Sequence, residues 1–365
     1  MKFFAVLLTI IFVSSCSTTI PVKVRKPAEL NIGSARTIAV MDFDFRGSWD
    51  FDAGDKDSKK ALGAFMKAIE KQNKKLNPKT AYPGKNVSDH LVAKLVQNGY
   101  YTVIERSKMD EILNEQSLSL SGLVDDEQVV QVGNMIGAQA LITGSGTYSV
   151  KDIGEWEKYK EKKKNKDGKK VTIEKERYNI VRHVNTQITF RIIDVSTGSV
   201  IASKNNKASN KSNSWKYKSS GKNESAAAKG LKDWKPIVAD QVSKILDKTI
   251  KQIAPHTVTQ KREIEEGESK KMKSALEYAK RDLWDEAKEI WDKVSAAKKT
   301  KKEDRIAATY NLGLFYEVFG FLNDAEIYYE KAYKLSSDSK YLDAKARVKK
   351  RRKEVEKLRM QEERE

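Results

Sequence analysis

Thr186-Gln187-Ile188-Thr189-Phe190-Arg191-Ile192-Ile193-Asp194-Val195 is the stretch that decides the fold, read with Ser196-Thr197-Gly198-Ser199 and Val200-Ile201-Ala202-Ser203 behind it. Apolar and polar residues alternate through the first segment, the period-two signature of a strand with one buried face. The Ser/Thr/Gly cluster turns the chain, and the last segment returns, so the stretch predicts a β-hairpin. Upstream, Ala138–Thr147 predicts a buried strand in which Gly144-Ser145-Gly146 fits a tight turn at its end. Leu123–Gly137 predicts a short helix, with Asp125-Asp126 where the helix dipole favours negative charge. Tyr101–Arg106 predicts a β-branched strand, and Ser107 is placed to cap a helix bearing Met109, Ile112 and Leu113 on one face. Val87–Val96 has helical spacing closed by Asn98-Gly99. Arg36–Phe45 predicts one strand with Asp42 and Asp44 on a common face. Downstream, Ala226–Ile253 predicts one amphipathic helix carrying Val238, Val242, Ile245, Leu246 and Ile250. Strands and helices interleave and then end in a hairpin and a helix. The fold class is therefore α+β, with a mixed α/β sandwich over residues 36–254 rather than a doubly wound sheet. Charged insertions are read at about 46–85 and 148–184, the first containing an apolar helical segment near Ala61–Ile69.

The start of the chain is of another kind. Lys2 precedes an apolar run from Phe3 to Val13. The run is shorter than the about 20 residues of a membrane-crossing helix and fits a secretory signal. Val13-Ser14-Ser15-Cys16 then resembles the bacterial lipobox, which implies removal of residues 1–15 and acylation of Cys16, anchoring the chain to a membrane. Cys16 is the sole cysteine, so the exported chain is held by ordinary cores and not by internal disulfides. Residues 16–35, with Pro21 and Pro27, read as a tether, and Ser17 after the cysteine, by its resemblance to enterobacterial lipoprotein sorting signals, implies the outer membrane with the chain facing the periplasm.

The chain carries 70 Lys+Arg against 51 Asp+Glu, a formal net charge of +19. The excess lies in Lys151–Glu176, Lys204–Lys222 and Lys345–Arg359. No basic-aromatic stacking platform accompanies these runs, so no nucleic-acid partner is implied. In an exported protein such runs fit solvated surfaces, or contacts with anionic head groups and envelope polymers.

Several segments occur in an order that resembles the CsgG family, the curli assembly and transport lipoproteins. They are Ile38–Phe43, Val103–Arg106 leading into Met109–Glu115, Gly137–Ser145, and Phe190–Val200. The resemblance runs from about residue 36 to 254. It implies the α/β fold, an envelope location and, in the family's ring-forming member, two amphipathic hairpins per subunit in a shared transmembrane barrel. Those hairpins would fall after Gly146 and after Val200–Ser203. A membrane strand needs about 9–11 residues with alternate apolar positions. Glu161–Lys170 and Asn205–Ser220 offer no such lipid-facing stripe.

Past Pro255 the texture becomes helical throughout. Residues 255–337 contain two segments that resemble tetratricopeptide repeats, whose period is about 34 residues. In the second, Leu312, Gly313, Tyr316, Gly320, Ala325, Tyr329 and Ala332 fall on the small-residue/aromatic code, and in the first, Ala275, Tyr278, Ala287 and Trp291 do. The extra spacing belongs to the Lys298–Asp304 linker. The resemblance implies a protein-binding module, with Tyr278, Ala287, Trp291, Leu312, Gly313, Tyr316, Ala325 and Tyr329 as its code residues. Flanking helices within Lys251–Glu268 and from Tyr341 would cap it, and residues 338–365 read as a charged helix running into solvent.

Catalytic signatures are missing. His90, His183 and His256 have no metal-ligand spacing, and there is no phosphate-binding loop, dinucleotide fingerprint or nucleophile elbow. No enzyme activity, metal or cofactor is implied. The expected function is a non-enzymatic assembly or scaffold lipoprotein of the cell envelope. The expected partners are the membrane, through acylated Cys16, and proteins, through the repeats; homo-oligomerisation is compatible. Two alternatives stand beside it, an oligomeric secretion channel and a regulator of a cell-wall synthase.

Overall fold

The alternation centred on Ile188 extends far beyond the segment that revealed it. In the computed structural model, strand β6 covers Lys170–Asp194 and pairs antiparallel with β5, Ala140–Lys164, along its whole length. The structure describes residues 18–52, 63, 82–105, 111 and 126–363. Cys16, Ala61–Ile69 apart from Gly63, and the helix after Ser107 apart from Glu111 lie outside the described residues.

The chain divides into two units, Ala28–Ala254 and a second that joins the N-terminal segment through Pro27 to Pro255–Glu365. In the first unit β2 (Thr37–Val40) and β3 (Asp44–Asp52) both lie parallel to β5, and β4 (Thr102–Val103) lies parallel to β2. On the other side of β5, β6 pairs antiparallel with β7 (Val200–Ser209) and β8 (Lys218–Gly221). Strand directions are mixed, as the α+β reading requires. The single strand expected over Arg36–Phe45 is interrupted after Val40. There the Ser88 hydroxyl donates to the Met41 carbonyl (3.0 Å) and accepts from the Phe43 N–H (3.2 Å), replacing ladder bonds. β3 then continues through Gly47–Asp52, so the beginning of the supposed first insertion is sheet.

One sheet face is covered by helices α1 (Gly84–Asn98) and α4 (Lys235–Ile253). Val87, Leu91 and Leu95 of α1 meet Val238, Val242, Ile245 and Leu246 of α4 in a core with Ile38, Ile142, Ile188 and Phe190. Each such side chain removed from water contributes about 1.5–3 kcal/mol. Gly99, at φ 73°, ends α1. On the other face α2 (Asp126–Ile136) packs Val132 and Ile136 on Ala39, Met41, Leu141, Ile193 and Val195. The helix expected over Ala226–Ile253 is two, α3 (Glu224–Lys229) and α4, because Pro236 cannot continue a helix and instead starts one. Gly144 and Gly146 are not a terminal turn. They lie inside β5, where a Cβ would fall 2.4 Å from the Phe43 ring and 2.8 Å from the Phe45 ring. Glycine admits those rings across the strand.

The second unit corrects three expectations. The tether read over residues 16–35 contains β1, Thr18–Lys26, and the region read as wholly helical after Pro255 begins with β9, His256–Ile264. The two pair antiparallel from Thr18↔Ile264 to Lys26↔His256, burying Ile20, Val22, Val24 and Ile264. Pro21 is tolerated because, among the described residues, β1 pairs along one edge only. Five helices follow: α5 (Lys270–Lys280), α6 (Trp284–Ala296), α7 (Lys302–Val318), α8 (Leu322–Ser336) and α9 (Ser339–Glu362). The charged α9 does not run into solvent. It buries Tyr341, Ala344, Val348 and Leu358, and its Glu354 and Glu362 pair with Lys26 (2.5 Å) and Arg25 (2.6 Å) of β1. Alternation with Lys and Arg hid β1, since their stems cover apolar surface while their heads reach carboxylates.

Candidate functional site

Beyond Ile153 on β5 and before Tyr178 on β6, no third strand flanks the pair among the described residues. The segment 154–177 therefore leaves the sheet as a two-stranded arm of roughly 35 Å, at about 3.4 Å per residue. A chain of that length has no core of its own, so its base must be fixed by the sheet.

The fixing group is a buried ion pair. Asp152 and Arg182 face each other across β5 and β6, with Nε–Oδ1 and Nη2–Oδ2 both at 2.7 Å and side chains 0% and 1% exposed. The Trp49 indole of β3 also donates to Asp152 Oδ2 (2.9 Å), and Arg182 Nη1 donates to the Lys232 carbonyl (2.6 Å). Both charges are satisfied, the condition on which a buried pair is tolerable. Nearby, Asn210 bridges the Val184 N–H and the Arg182 carbonyl, while Gln241 and Gln252 of α4 bond Thr186 and Asn206. The sequence reading of α4 followed its aliphatic residues and missed this polar seam; Gln241 and Gln252 in the buried stripe were its only trace.

Along the arm the charges change their arrangement. Near the base they pair across strands: Glu157 with Arg177 (2.8 Å), Lys158 with Glu176 (3.6 Å), Lys160 with Glu174 (3.9 Å), and Glu161 with Lys175. Hydrogen bonds from Arg177 and Asn179 hold the Glu157 carboxyl down at about 2. Toward the tip the acids give out. The turn is closed by Asn165, whose N–H donates to the Lys169 carbonyl (2.9 Å) and whose side chain accepts from the Asp167 and Lys169 N–H groups. Gly168 supplies the left-handed residue, φ 77°, of a three-residue hairpin loop. Thus the supposed excursion at 148–184 is ordered hairpin throughout. The second hairpin site instead continues as β7, a 3-10 turn at Lys211–Tyr217 and β8.

The helical unit places the eight code residues as follows. Ala287, Trp291, Leu312, Ala325 and Tyr329 are fully buried, and Gly313 is also interior. A Cβ on Gly313 would lie 2.7 Å from the Tyr329 ring, so glycine sets the approach of α7 to α8. Tyr316 is half-buried, stacked on Tyr328 at 5.2 Å, and Tyr278 is exposed. Six of the eight therefore hold helices together, and Tyr278 and Tyr316 alone reach the surface. The turns between α5 and α6 and between α7 and α8 both use a left-handed residue, Asp282 (φ 65°) and Gly320 (φ 82°).

Sequence reading did not find the polar groups that join these helices. Glu317 of α7 accepts from Arg262 of β9 (2.8 Å), Arg347 of α9 (2.8 Å) and the Tyr329 hydroxyl (2.7 Å). Burial would raise its pKa, but the hydrogen bonds and charge of Arg347, the Tyr329 hydroxyl and Arg262 together hold the carboxyl below its ordinary range. Asn311 acts as a substitute strand for Glu265, donating to its carbonyl (2.7 Å) and accepting from its N–H (2.9 Å). No cluster of His, Cys, Asp and Glu able to hold a metal occurs among the described residues. No described helix is long and apolar enough to cross a membrane.

These features define a chain with a mixed α/β domain, a two-stranded hairpin arm and a helical module. The chain belongs to the CsgG family: the profile of the curli production assembly/transport component CsgG matches residues 66–281, more than half of the 365 residues. A domain of unknown function, DUF6340, matches residues 273–359, the helical module. No curated protein gives a significant match. Among solved structures the chain is similar to the LpoB C-terminal domain from Salmonella enterica, with 13% identity, 49% of this chain and 87% of that chain covered, and a TM-score of 0.26. It is also similar to the PelC dodecamer from Paraburkholderia phytofirmans, with 12% identity, 65% and 99% covered, and a TM-score of 0.25. Likenesses at this level add nothing to the family match.

Proposed function

We propose that the protein is an outer-membrane lipoprotein facing the periplasm, anchored through acylated Cys16, and a non-enzymatic assembly component of the cell envelope. The observation that carries this reading is the CsgG-family match over residues 66–281. The lipobox Val13–Cys16 supplies the anchor, and the helices after Lys270, read as tetratricopeptide-like, supply a protein-binding module. The interior places of Ala287, Trp291, Gly313 and Tyr329 support a packing code of small residues against aromatics, with partners meeting the surface around Tyr278 and Tyr316.

The channel reading draws on one observation, a hairpin of sufficient length between Gly154 and Arg177. Its composition opposes insertion. One face carries Lys158, Lys160, Lys162 and Lys164, the other Glu157, Glu161 and Lys163, and a lysine at the bilayer midplane costs about 2–4 kcal/mol. Fractionation of the cell envelope with acyl labelling tests the proposal. The native chain should label and stay with the outer membrane through a high-salt wash, and Cys16→Ala should lose the label and be released by that wash. Unchanged labelling would remove the anchor from the reading. Stepwise conductance of the purified protein in planar bilayers would replace the scaffold with the channel.

A further inference from the structure

The arm between Gly154 and Arg177 separates its charges by position. Its base neutralises itself through four cross-strand ion pairs. From Lys162 to Lys170 there are six lysines against Asp167 alone. Lys162, Lys164, Lys166, Lys169 and Lys170 are exposed, and none of the ion pairs among the described residues involves them. On the face opposite Lys162, Lys164 and Lys170, which also carries Tyr159 and Lys163, Val171 and Ile173 are 38% and 39% exposed. Their strand neighbours cover them only in part, although β-branched residues ordinarily seek cover at a sheet face. Unneutralised lysines thus sit with an aliphatic patch at the end of a stiff, sheet-anchored ribbon.

We infer that the tip, Lys162–Ile173, docks reversibly on an anionic phospholipid surface. The lysines meet head-group phosphates, and Val171 and Ile173 enter the boundary between head groups and acyl chains. Charge complementarity selects an anionic surface, and the apolar pair selects lipid over a soluble polyanion, which offers nothing for aliphatic side chains to enter. The docking is peripheral. The ion-paired base stays in water, in contrast to a membrane-crossing strand, in which the paired rows Lys158/Glu176 and Lys160/Glu174 would have to enter hydrocarbon. The inference stands on the arm alone and does not depend on acylation of Cys16.

The test uses the full chain carrying Cys16→Ser, which removes any acyl contribution, and sedimentation with vesicles of phosphatidylcholine with or without phosphatidylglycerol. Binding is expected only with phosphatidylglycerol and should fall steeply as salt is added. Each lysine near such a surface contributes about fivefold in partitioning. Replacing Lys162, Lys164, Lys166 and Lys170 by Gln should therefore weaken binding by more than about 100-fold. The same change at Lys298 and Lys299, exposed in the helical unit, should have little effect. Val171→Ser with Ile173→Ser should weaken vesicle binding several-fold and leave binding to polygalacturonate unchanged. All these side chains are exposed, so the variants should keep the native circular dichroism. Equal binding to neutral vesicles, or full binding by the four-lysine variant, would overturn the inference. So would polygalacturonate binding as tight as vesicle binding, with no effect of the two serines.

Discussion

Removing Arg182 alone should do more damage than removing Arg182 and its partner together demands. In Arg182→Met, Asp152 remains 0% exposed with the Trp49 indole as its surviving charge-stabilising contact, and the Lys232 carbonyl loses its donor. Breaking a buried pair on one side costs about 3–5 kcal/mol. For a unit the size of Ala28–Ala254, about 2–4 °C are lost per kcal/mol, so the melting temperature should drop by roughly 6–20 °C. Asp152→Leu should be comparably damaging, because it strands the guanidinium. In the double variant Asp152→Leu with Arg182→Met, no charge is left buried. What remains is the loss of the Asp152 acceptor by the Trp49 N–H and of the Arg182 donor by the Lys232 carbonyl, about 1–3 kcal/mol each. The double variant should therefore be markedly more stable than the sum of the singles predicts. Because the chain has two units, a global melt mixes transitions. Native-state hydrogen exchange of amides in residues 148–156 and 178–186 reads the pair directly, and in the single variants protection should fall there and along the arm. Additive losses in the cycle, or single losses below about 1 kcal/mol, would refute the claim that this pair anchors the arm.

Other expectations concern the helical unit. Gly313→Ala pushes a methyl into the Tyr329 ring and should destabilise the unit by about 1–3 kcal/mol in urea titrations. Trp291→Ala, at a fully buried site, should lose about 3–5 kcal/mol in the same assay. Asn311→Ala unpairs both main-chain groups of Glu265 and should lower the urea midpoint by an amount equivalent to about 1–3 kcal/mol. Glu317 has a folded-state pKa below its ordinary 4.5, so its contribution is present above that value and is lost as pH falls through the lower folded pKa. The urea midpoint of the helical unit should then drop between pH 4.5 and the acid limit, and Glu317→Gln should flatten that limb while lowering stability at pH 7.

Local periodicity carried much of this architecture. The alternation from Thr186 to Val195, the helical spacing of Val87–Leu95 and the Asn98-Gly99 stop are nearest-neighbour signals, and the structure places strand or helix at each. The family resemblance was also legible, because it rests on residue identity and order. The errors fell where a tertiary contact reassigns a residue's meaning. Gly144 and Gly146 look like a turn until Phe43 and Phe45 lie across them. The charged run 154–177 looks like a loop until β5 and β6 pair through it, with lysines and glutamates supplying the cross-strand contacts that apolar residues supply elsewhere. β1 looks like a tether because its partner, β9, lies more than two hundred residues away. The sequence by itself determined which segments can be buried, since that depends on side-chain character. The tertiary structure decided which charged residues are neutralised and which remain free at the arm's tip, because that depends on the residue opposite and not on the residue next in the chain.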